Sequence, residues 1–266
     1  MPSPPARWGV FYREADLQPH RSRYWLNAKA KHADPDTFAA QVETICTVYA
    51  YAPMLEALGC HVVGTDEMTG IQALERAAPT KAMRPGCPER REHEYIRHGT
   101  TTLIATRNVA TGQVLAPALG PTRTEADFAA HIAQVLATDP EASWLFIADN
   151  LNTHQSATLV RLVANRCGLA ADLGEKGQAG ALRSQATRAA FLSDPAHRIQ
   201  FLYTPKHTSW LNQIALWFSI LVRRVLKRGN FASTDALRDR ILAFIAYFNQ
   251  TATPCKWTYK GRLLCR

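Results

Sequence analysis

Residues 61–67 read His-Val-Val-Gly-Thr-Asp-Glu, a short apolar run that turns polar at Asp66. Residues 144–150 read Trp-Leu-Phe-Ile-Ala-Asp-Asn, and the same change from apolar to polar comes at Asp149. Apolar runs of this length are typical of buried strands. Carboxylates where such strands end can hold divalent cations, which prefer oxygen ligands and bridge to the oxygens of phosphate. We therefore expect Asp66 and Asp149 to share a metal site that acts on nucleic acid.

Each aspartate taken alone is more typical of a turn or cap residue that hydrogen-bonds to nearby backbone. The metal-site interpretation depends on the pair and on the charge of the chain. Residues 198–266 contain 12 Lys and Arg against 2 Asp and Glu, whereas residues 1–197 are nearly balanced. Such a basic segment is either a solvated surface or a contact for the phosphates of nucleic acid. The carboxylate pair in the same chain favours nucleic acid.

The pattern of apolar residues predicts an α/β fold. Two β-rich runs separated by a turn at residues 108–112 indicate an antiparallel pair, and strands that reach Asp66 and Asp149 flank a helix. The order predicts an RNase H-like mixed five-stranded sheet flanked by helices on both faces. Besides the strand that reaches Asp66, the predicted strands are Tyr95–Arg107, Gln113–Leu119, Ser143–Asp149 and Ile199–Tyr203; the predicted helices are one from Asp36, a short one ending at Gly59, Thr124–Ala137, about Thr153–Cys167, Trp210–Arg228 and Ser233 or Thr234 to Asn249.

One large domain is expected, because 266 residues with 47% hydrophobic content can bury a sizeable core. Residues 1–35 show no sustained period and are predicted to be an arm or linker, and residues 36–250 the catalytic domain. Within it, residues 168–190 are predicted to be an insertion or mobile loop. Residues 251–266 are predicted to be a basic tail.

Several protein classes are not expected from this sequence. It has no apolar run of the roughly 18 residues that a bilayer requires and no secretory signal at its start, so a cytoplasmic location without membrane contact is expected. The six cysteines are scattered without zinc-ligand spacing. Cys87, His93 and His98 come nearest to a transition-metal cluster, but the arginines among them would repel a cation.

Three runs resemble a known family. Residues 61–75 read His-Val-Val-Gly-Thr-Asp-Glu-Met-Thr-Gly-Ile-Gln-Ala-Leu-Glu, residues 148–154 read Ala-Asp-Asn-Leu-Asn-Thr-His, and residues 203–214 read Tyr-Thr-Pro-Lys-His-Thr-Ser-Trp-Leu-Asn-Gln-Ile. They resemble bacterial insertion-sequence transposases of the mariner-like superfamily, and the resemblance extends from Pro19 to Gly261. It implies an Asp-Asp-Glu triad that uses Mg²⁺ or Mn²⁺ to cut transposon ends in double-stranded DNA and join them to target DNA. It also implies a homodimer at the bacterial nucleoid.

Two departures from the family pattern affect the expected function. The family places its third acidic residue, a glutamate, where this chain has Ala215, so we expect the chain to be inactive as written. Either a deliberate replacement that traps an inactive complex or natural decay would account for Ala215, and the intact motif around it favours the first. The family's N-terminal helix-turn-helix module has no counterpart here, which predicts a catalytic fragment or a truncated gene.

Neighbouring residues have more than one possible role. We expect Glu67 to face away from Asp66 and to be structural or exposed, and His154 either to approach the metal or to form a local hydrogen bond. Trp210 and Trp217 are predicted to pack in the core. The predicted DNA contacts are Lys206, His207, Arg223, Arg224, Lys227 and Arg228, although a solvated helix face would also explain the last four.

Two other functions remain open from the sequence. The chain could be a non-catalytic DNA-binding relative of a transposase, either domesticated or decayed. It could also be a general RNase H-like nuclease or junction resolvase, which would cleave without joining strands.

Overall fold

The computed structural model describes residues 34–170 and 172–259. The predicted arm at residues 1–35 therefore lies almost wholly outside the described residues, as does the end of the predicted tail. In the described part, strands and helices follow the predicted order. The strands are β1 (Cys60–Arg76), β2 (Tyr95–Asn108), β3 (Val114–Gly120), β4 (Ser143–Ala148) and β5 (Ile199–Tyr203), and the helices are α1 (Pro35–Ala57), α2 (Glu125–Leu136), α3 (Ala157–Arg166), α4 (Gln185–Leu192), α5 (Gln213–Leu221) and α6 (Thr234–Gln250).

The five strands form one mixed sheet in the order β3-β2-β1-β4-β5. β1, β4 and β5 run parallel to one another, while β2 pairs antiparallel with both β1 and β3. The prediction of a mixed five-stranded sheet with an antiparallel pair is therefore confirmed. Because β1 is the central strand, it has hydrogen-bonded neighbours on both sides, which fixes the direction of its side chains.

β1 is longer than predicted, and Asp66 lies in its interior. The antiparallel pairing with β2 continues from Val63↔Asn108 to Arg76↔Tyr95, with irregularities in the second half. The expectation that this strand ends near Asp66 was wrong, because β2 supplies hydrogen-bond partners for the more polar residues beyond it. β4 ends at Ala148, one residue before the predicted end, so Asp149 stands immediately after the strand.

Both faces of the sheet are covered by helices. Alternate strand residues such as Ile104, Phe146 and Phe201 face α2, α3 and α4, while Leu103 and Ala105 face α5 and α6. α1 packs beside α5 over Val62 and Ile147. This alternation is what strands buried on both faces require.

Three helical predictions needed correction. The segment before Gly59 forms the single helix α1 rather than two helices. The helix predicted from Thr153 begins at Ala157, because Ser156 caps it and a short 3₁₀ turn precedes it. α5 begins only at Gln213 and passes at Val222 into a π-helical turn, so the predicted helix Trp210–Arg228 is interrupted at both ends.

The segment predicted as an insertion or mobile loop is partly ordered. α4, capped by Ser184, begins within it and ends two residues beyond it, and Leu182 in the segment and Leu192 at the end of α4 are fully buried against the sheet. The loop prediction was therefore wrong for this part, because the few apolar residues that anchor the segment are too widely spaced to show a helical period.

Among the described residues, no helix combines the length and apolar character that crossing a bilayer demands. No disulfide bond joins the five described cysteines to one another.

Candidate active site

The register of the sheet brings the two aspartates together. Gly64 of β1 pairs with Ile147 of β4 in a parallel ladder, so two residues further on Asp66 stands level with Asp149. Neighbouring strands lie about 4.8 Å apart, and residues two apart along a strand share a face. Two carboxylates therefore project from adjacent positions where β4 ends.

The first turn of α5 is fastened to β1 beside Asp66. The amide of Asn212, which caps α5, donates to the backbone oxygen of Thr65 over 2.8 Å. Gly64 allows this approach, because a Cβ at residue 64 would lie 2.5 Å from Asn212 Oδ1. Since Gly64 and Asp66 share a face of the sheet, α5 packs on the face from which Asp66 projects.

Gly64→Ala is expected to lower the free energy of unfolding by about 1–3 kcal/mol, because the new methyl group forces Asn212 away from β1. Gly120→Ala is the matched control, since a Cβ at residue 120 meets nothing within 4 Å. Its effect should stay within about 0.5 kcal/mol. Urea denaturation of both variants measures the difference, and equal stability of the two would contradict the close contact at Gly64.

His154 connects the second aspartate to Glu67. Its Nδ1 lies 2.8 Å from Asp149 Oδ1, and its Nε2 lies 2.8 Å from Glu67 Oε2. The imidazole is fully buried and packs against the ring of Phe128, with 4.3 Å between centroids. Of the two roles that the sequence left open for His154, the structure supports the hydrogen-bonding one.

The charges of these groups follow from burial and proximity. Burial raises the pKa of Asp66 to about 7, and the negative charge of Asp149 acts in the same direction. Burial is the largest influence on Asp149 and opposes its ionisation, but the hydrogen bond and charge of His154, the backbone N–H of Leu151 and the charge of Arg123 together outweigh burial and lower the pKa of Asp149. For His154, burial favours the neutral ring, yet the bonds to Asp149 and Glu67 raise its pKa to about 9. The imidazole is therefore a cation at neutral pH.

Glu67 is structural and not exposed. Its side chain is 5% exposed and pairs with His154 on one side and with Arg123 Nη1, at 3.3 Å, on the other. Ligand atoms of Asp66, Glu67 and His154 lie within 4.8 Å of one another, which is close enough to surround a cation.

The donor set suits a hard divalent cation. Asp66 and Asp149 are close enough for the charge of one to disfavour ionisation of the other, and a bound cation would remove this repulsion. Carboxylate oxygens are the ligands that Mg²⁺ and Mn²⁺ prefer. Ala215 lies in the first turn of α5, half-buried, and its methyl group offers no ligand.

A buried arginine, which no local sequence pattern indicates, holds the loop that carries His154. Arg188 of α4 donates from Nε to the backbone oxygen of Gln155 and from Nη2 to Asn152 Oδ1. Tyr203 donates its hydroxyl to the backbone oxygen of His154 over 2.8 Å. These bonds connect residues 33 to 49 positions apart, which local patterns cannot reveal.

The predicted DNA contacts fall into two groups. Lys206 and His207 are exposed on the loop after β5. The side chain of Asn150, next to Asp149, donates a hydrogen bond to the backbone oxygen of Thr204 at the start of this loop. Trp210 follows in the same loop and is 48% exposed, so its predicted burial was wrong, whereas Trp217 is fully buried as predicted. The other four, Arg223, Arg224, Lys227 and Arg228, are exposed in and after the π-helical turn.

Comparison with known proteins identifies related molecules. The model of the DDE superfamily endonuclease family matches residues 61–238. Among solved structures, the chain is similar to the Mos1 mariner paired-end complex with Mn (TM-score 0.54, 14% identity), a pre-cleavage Mos1 transpososome (0.52, 13%) and the Mos1 paired-end complex with the left transposon end (0.51, 14%). Each match covers 90% of this chain and 62% of the other, so the chain spans less than two thirds of those proteins.

At these identities the likeness establishes the fold alone, and it confirms the predicted RNase H-like architecture. No match is found among curated proteins.

Proposed function

Because the chain belongs to the DDE superfamily endonucleases, we propose that it is a transposase catalytic domain. It would cut phosphodiester bonds at transposon ends in double-stranded DNA and join the freed 3′ hydroxyls to target DNA. The observation that carries this proposal is the parallel pairing of Gly64 with Ile147, which brings Asp66 and Asp149 level with one another two residues further on. One carboxylate within a rigid strand, beside another directly after the end of the neighbouring strand, suits the positioning of a catalytic cation.

Asp66 and Asp149 would hold Mg²⁺ or Mn²⁺. When bound, such a cation polarises phosphoryl oxygens and stabilises the charge that develops on the attacking and leaving oxygens. The neighbouring residues would position these ligands: His154 orients Asp149, Glu67 holds His154, and Arg123 pairs with Glu67. Arg188 and Tyr203 hold the loop that carries His154 through hydrogen bonds to its backbone oxygens.

Ala215 stands where the family pattern has glutamate, and we propose that the chain is inactive for this reason. The attachment of α5 to β1 supports this proposal, because it brings the first turn of α5 next to the backbone of Asp66. The alternative supported by the same alanine is a DNA-binding relative without catalytic activity. The resemblance to bacterial insertion-sequence transposases implies a homodimer at the bacterial nucleoid, and we include both properties in the proposal.

Substrate choice tests the proposed reaction. The Ala215→Glu protein should nick duplex DNA that carries transposon ends and produce joined products with a target duplex. RNA–DNA hybrids of the same sequence should be cut at a rate at least about tenfold lower. Both products are separated on denaturing gels. Preferential cleavage of hybrids, without strand joining, would favour a general RNase H-like nuclease and overturn the transposase proposal.

A further inference from the structure

Two adjoining cavities lie far along β1 from the carboxylates. One of about 500 Å³ and one of about 440 Å³ share Arg228, Gly229 and Asn230 in their walls. Arginines from four segments surround them, and we call this surface the arginine groove. It is defined by Arg76, Arg91, Arg224, Arg228 and Arg240.

The backbone around the groove is held in place by specific contacts. Asn230 Oδ1 accepts from the backbone N–H of Arg76 over 2.6 Å, and the N–H of Phe231 donates to the oxygen of Leu74 over 2.8 Å. Phe231 is buried, and its ring passes so close to residue 229 that a Cβ there would overlap it. Gly229 therefore lets the turn after the π-helical segment close onto β1, which brings Arg228 beside Arg76.

More arginines than acidic residues line the groove. Glu75 is the one acid among the described residues that line the two cavities, and it is engaged by His98 at 2.7 Å. Arg91 pairs with Glu89. Within residues 34–170 and 172–259, no ion pair involves Arg224, Arg228 or Arg240. Guanidinium groups this close to one another repel unless an anion lies between them. The paired N–H donors of each guanidinium fit the oxygens of a phosphate group.

The position of the groove relates it to the carboxylates. Asp66 and Arg76 belong to the same strand and are ten residues apart. A strand rises about 3.3 Å per residue, so the separation is at most about 33 Å. One turn of duplex DNA measures about 34 Å. A single duplex that lies over Asp66 and Asp149 is therefore long enough to reach the groove.

We propose that the arginine groove binds the sugar–phosphate backbone of duplex DNA about one helical turn from the carboxylates. This inference rests on the proposed function and adds a second contact to it, with Arg76, Arg91 and Arg240 joining the basic residues of the π-helical turn. The group that the arginines would bind is a phosphate. Free inorganic phosphate carries the same group and is the alternative ligand.

The test combines Arg224→Gln, Arg228→Gln and Arg240→Gln in one protein. The matched control combines Arg161→Gln, Arg166→Gln and Arg183→Gln, which are equally exposed on another part of the surface. Binding of a fluorescent duplex of about 30 base pairs, close to three helical turns, is measured by anisotropy over a series of salt concentrations. The groove variant should bind at least about tenfold more weakly, and its slope of log affinity against log salt should fall by about 2–3.

A further variant separates charge from hydrogen-bond geometry and guards against misfolding. Lysine at the same three groove positions keeps the charge, so it should retain most of the salt slope while losing part of the affinity. Equal losses in the groove and control proteins, or no loss in the groove protein, would overturn the proposal. So would calorimetric binding of inorganic phosphate that the groove variant abolishes while duplex affinity stays unchanged. A chain that binds no duplex even at low salt would count against the proposed function itself.

Discussion

Ala215→Glu is expected to produce Mg²⁺-dependent DNA cleavage where the unmodified chain shows none. The new carboxylate would extend from the first turn of α5, which Asn212 fastens to β1 one residue before Asp66. A catalytic metal contributes several kcal/mol of transition-state stabilisation, and each 1.36 kcal/mol corresponds to a factor of ten in rate. A gain of at least about 10³-fold over the unmodified chain is therefore expected. Nicking of a labelled duplex measures it.

Two controls distinguish a metal ligand from an added charge. Leu216→Glu places the same group one residue further, on a side chain that is 42% exposed, where it should not activate the protein. Ala215→Gln keeps the shape of glutamate but removes the charge, and its activity should remain at background. An Ala215→Glu protein no more active than the Leu216→Glu protein would show that residue 215 does not complete the site.

Asp66→Asn and Asp149→Asn, each introduced into the Ala215→Glu protein, are expected to return cleavage to background. Each replacement keeps the shape of the side chain but takes away a charged oxygen ligand, so the loss should be about 10³-fold. Mn²⁺ binding by calorimetry should weaken in parallel. Asp36→Asn, an exposed residue in the first turn of α1, is the matched control and should leave both quantities unchanged.

The two replacements should differ in their effect on stability. Burial and the charge of Asp149 both disfavour the ionised form of Asp66. Without metal, Asp66→Asn should therefore leave the free energy of unfolding unchanged or raise it. Asp149→Asn removes one of the two charged partners of the buried His154 cation, so it should lower the free energy of unfolding. Loss of cleavage together with unfolding in both variants would point to a structural role for the pair.

The sequence predicted the strands of the sheet well because the apolar runs at residues 61–65 and 144–148 are buried on both faces. It also placed α2 and α6 within one or two residues, since both have capping residues and a clear apolar stripe. Asp66 and Asp149 could be selected as candidate metal ligands from their position after apolar runs, and that role stays a prediction. The parallel register that aligns them was not, because the two strands are separated by more than 60 residues of chain.

The parts that sequence reasoning missed depend on distant partners. The second half of β1 is polar enough to resemble a loop, and it becomes a strand because β2 returns alongside it. Trp210 has the spacing of a core residue, but Asn212 begins α5 after it and leaves its ring 48% exposed beside Tyr259. The buried arginine behind His154 lies in a segment without apolar period, so only the folded chain reveals its role.

Crystals soaked in Mn²⁺ can show whether Asp66 and Asp149 hold a divalent cation between them. An anomalous difference map should contain its strongest peak in contact with one carboxylate oxygen of each residue. Crystals of the Asp66→Asn protein, treated identically, should lack that peak. A map with no density between the two carboxylates, or with manganese bound only at other acidic groups, would contradict the account.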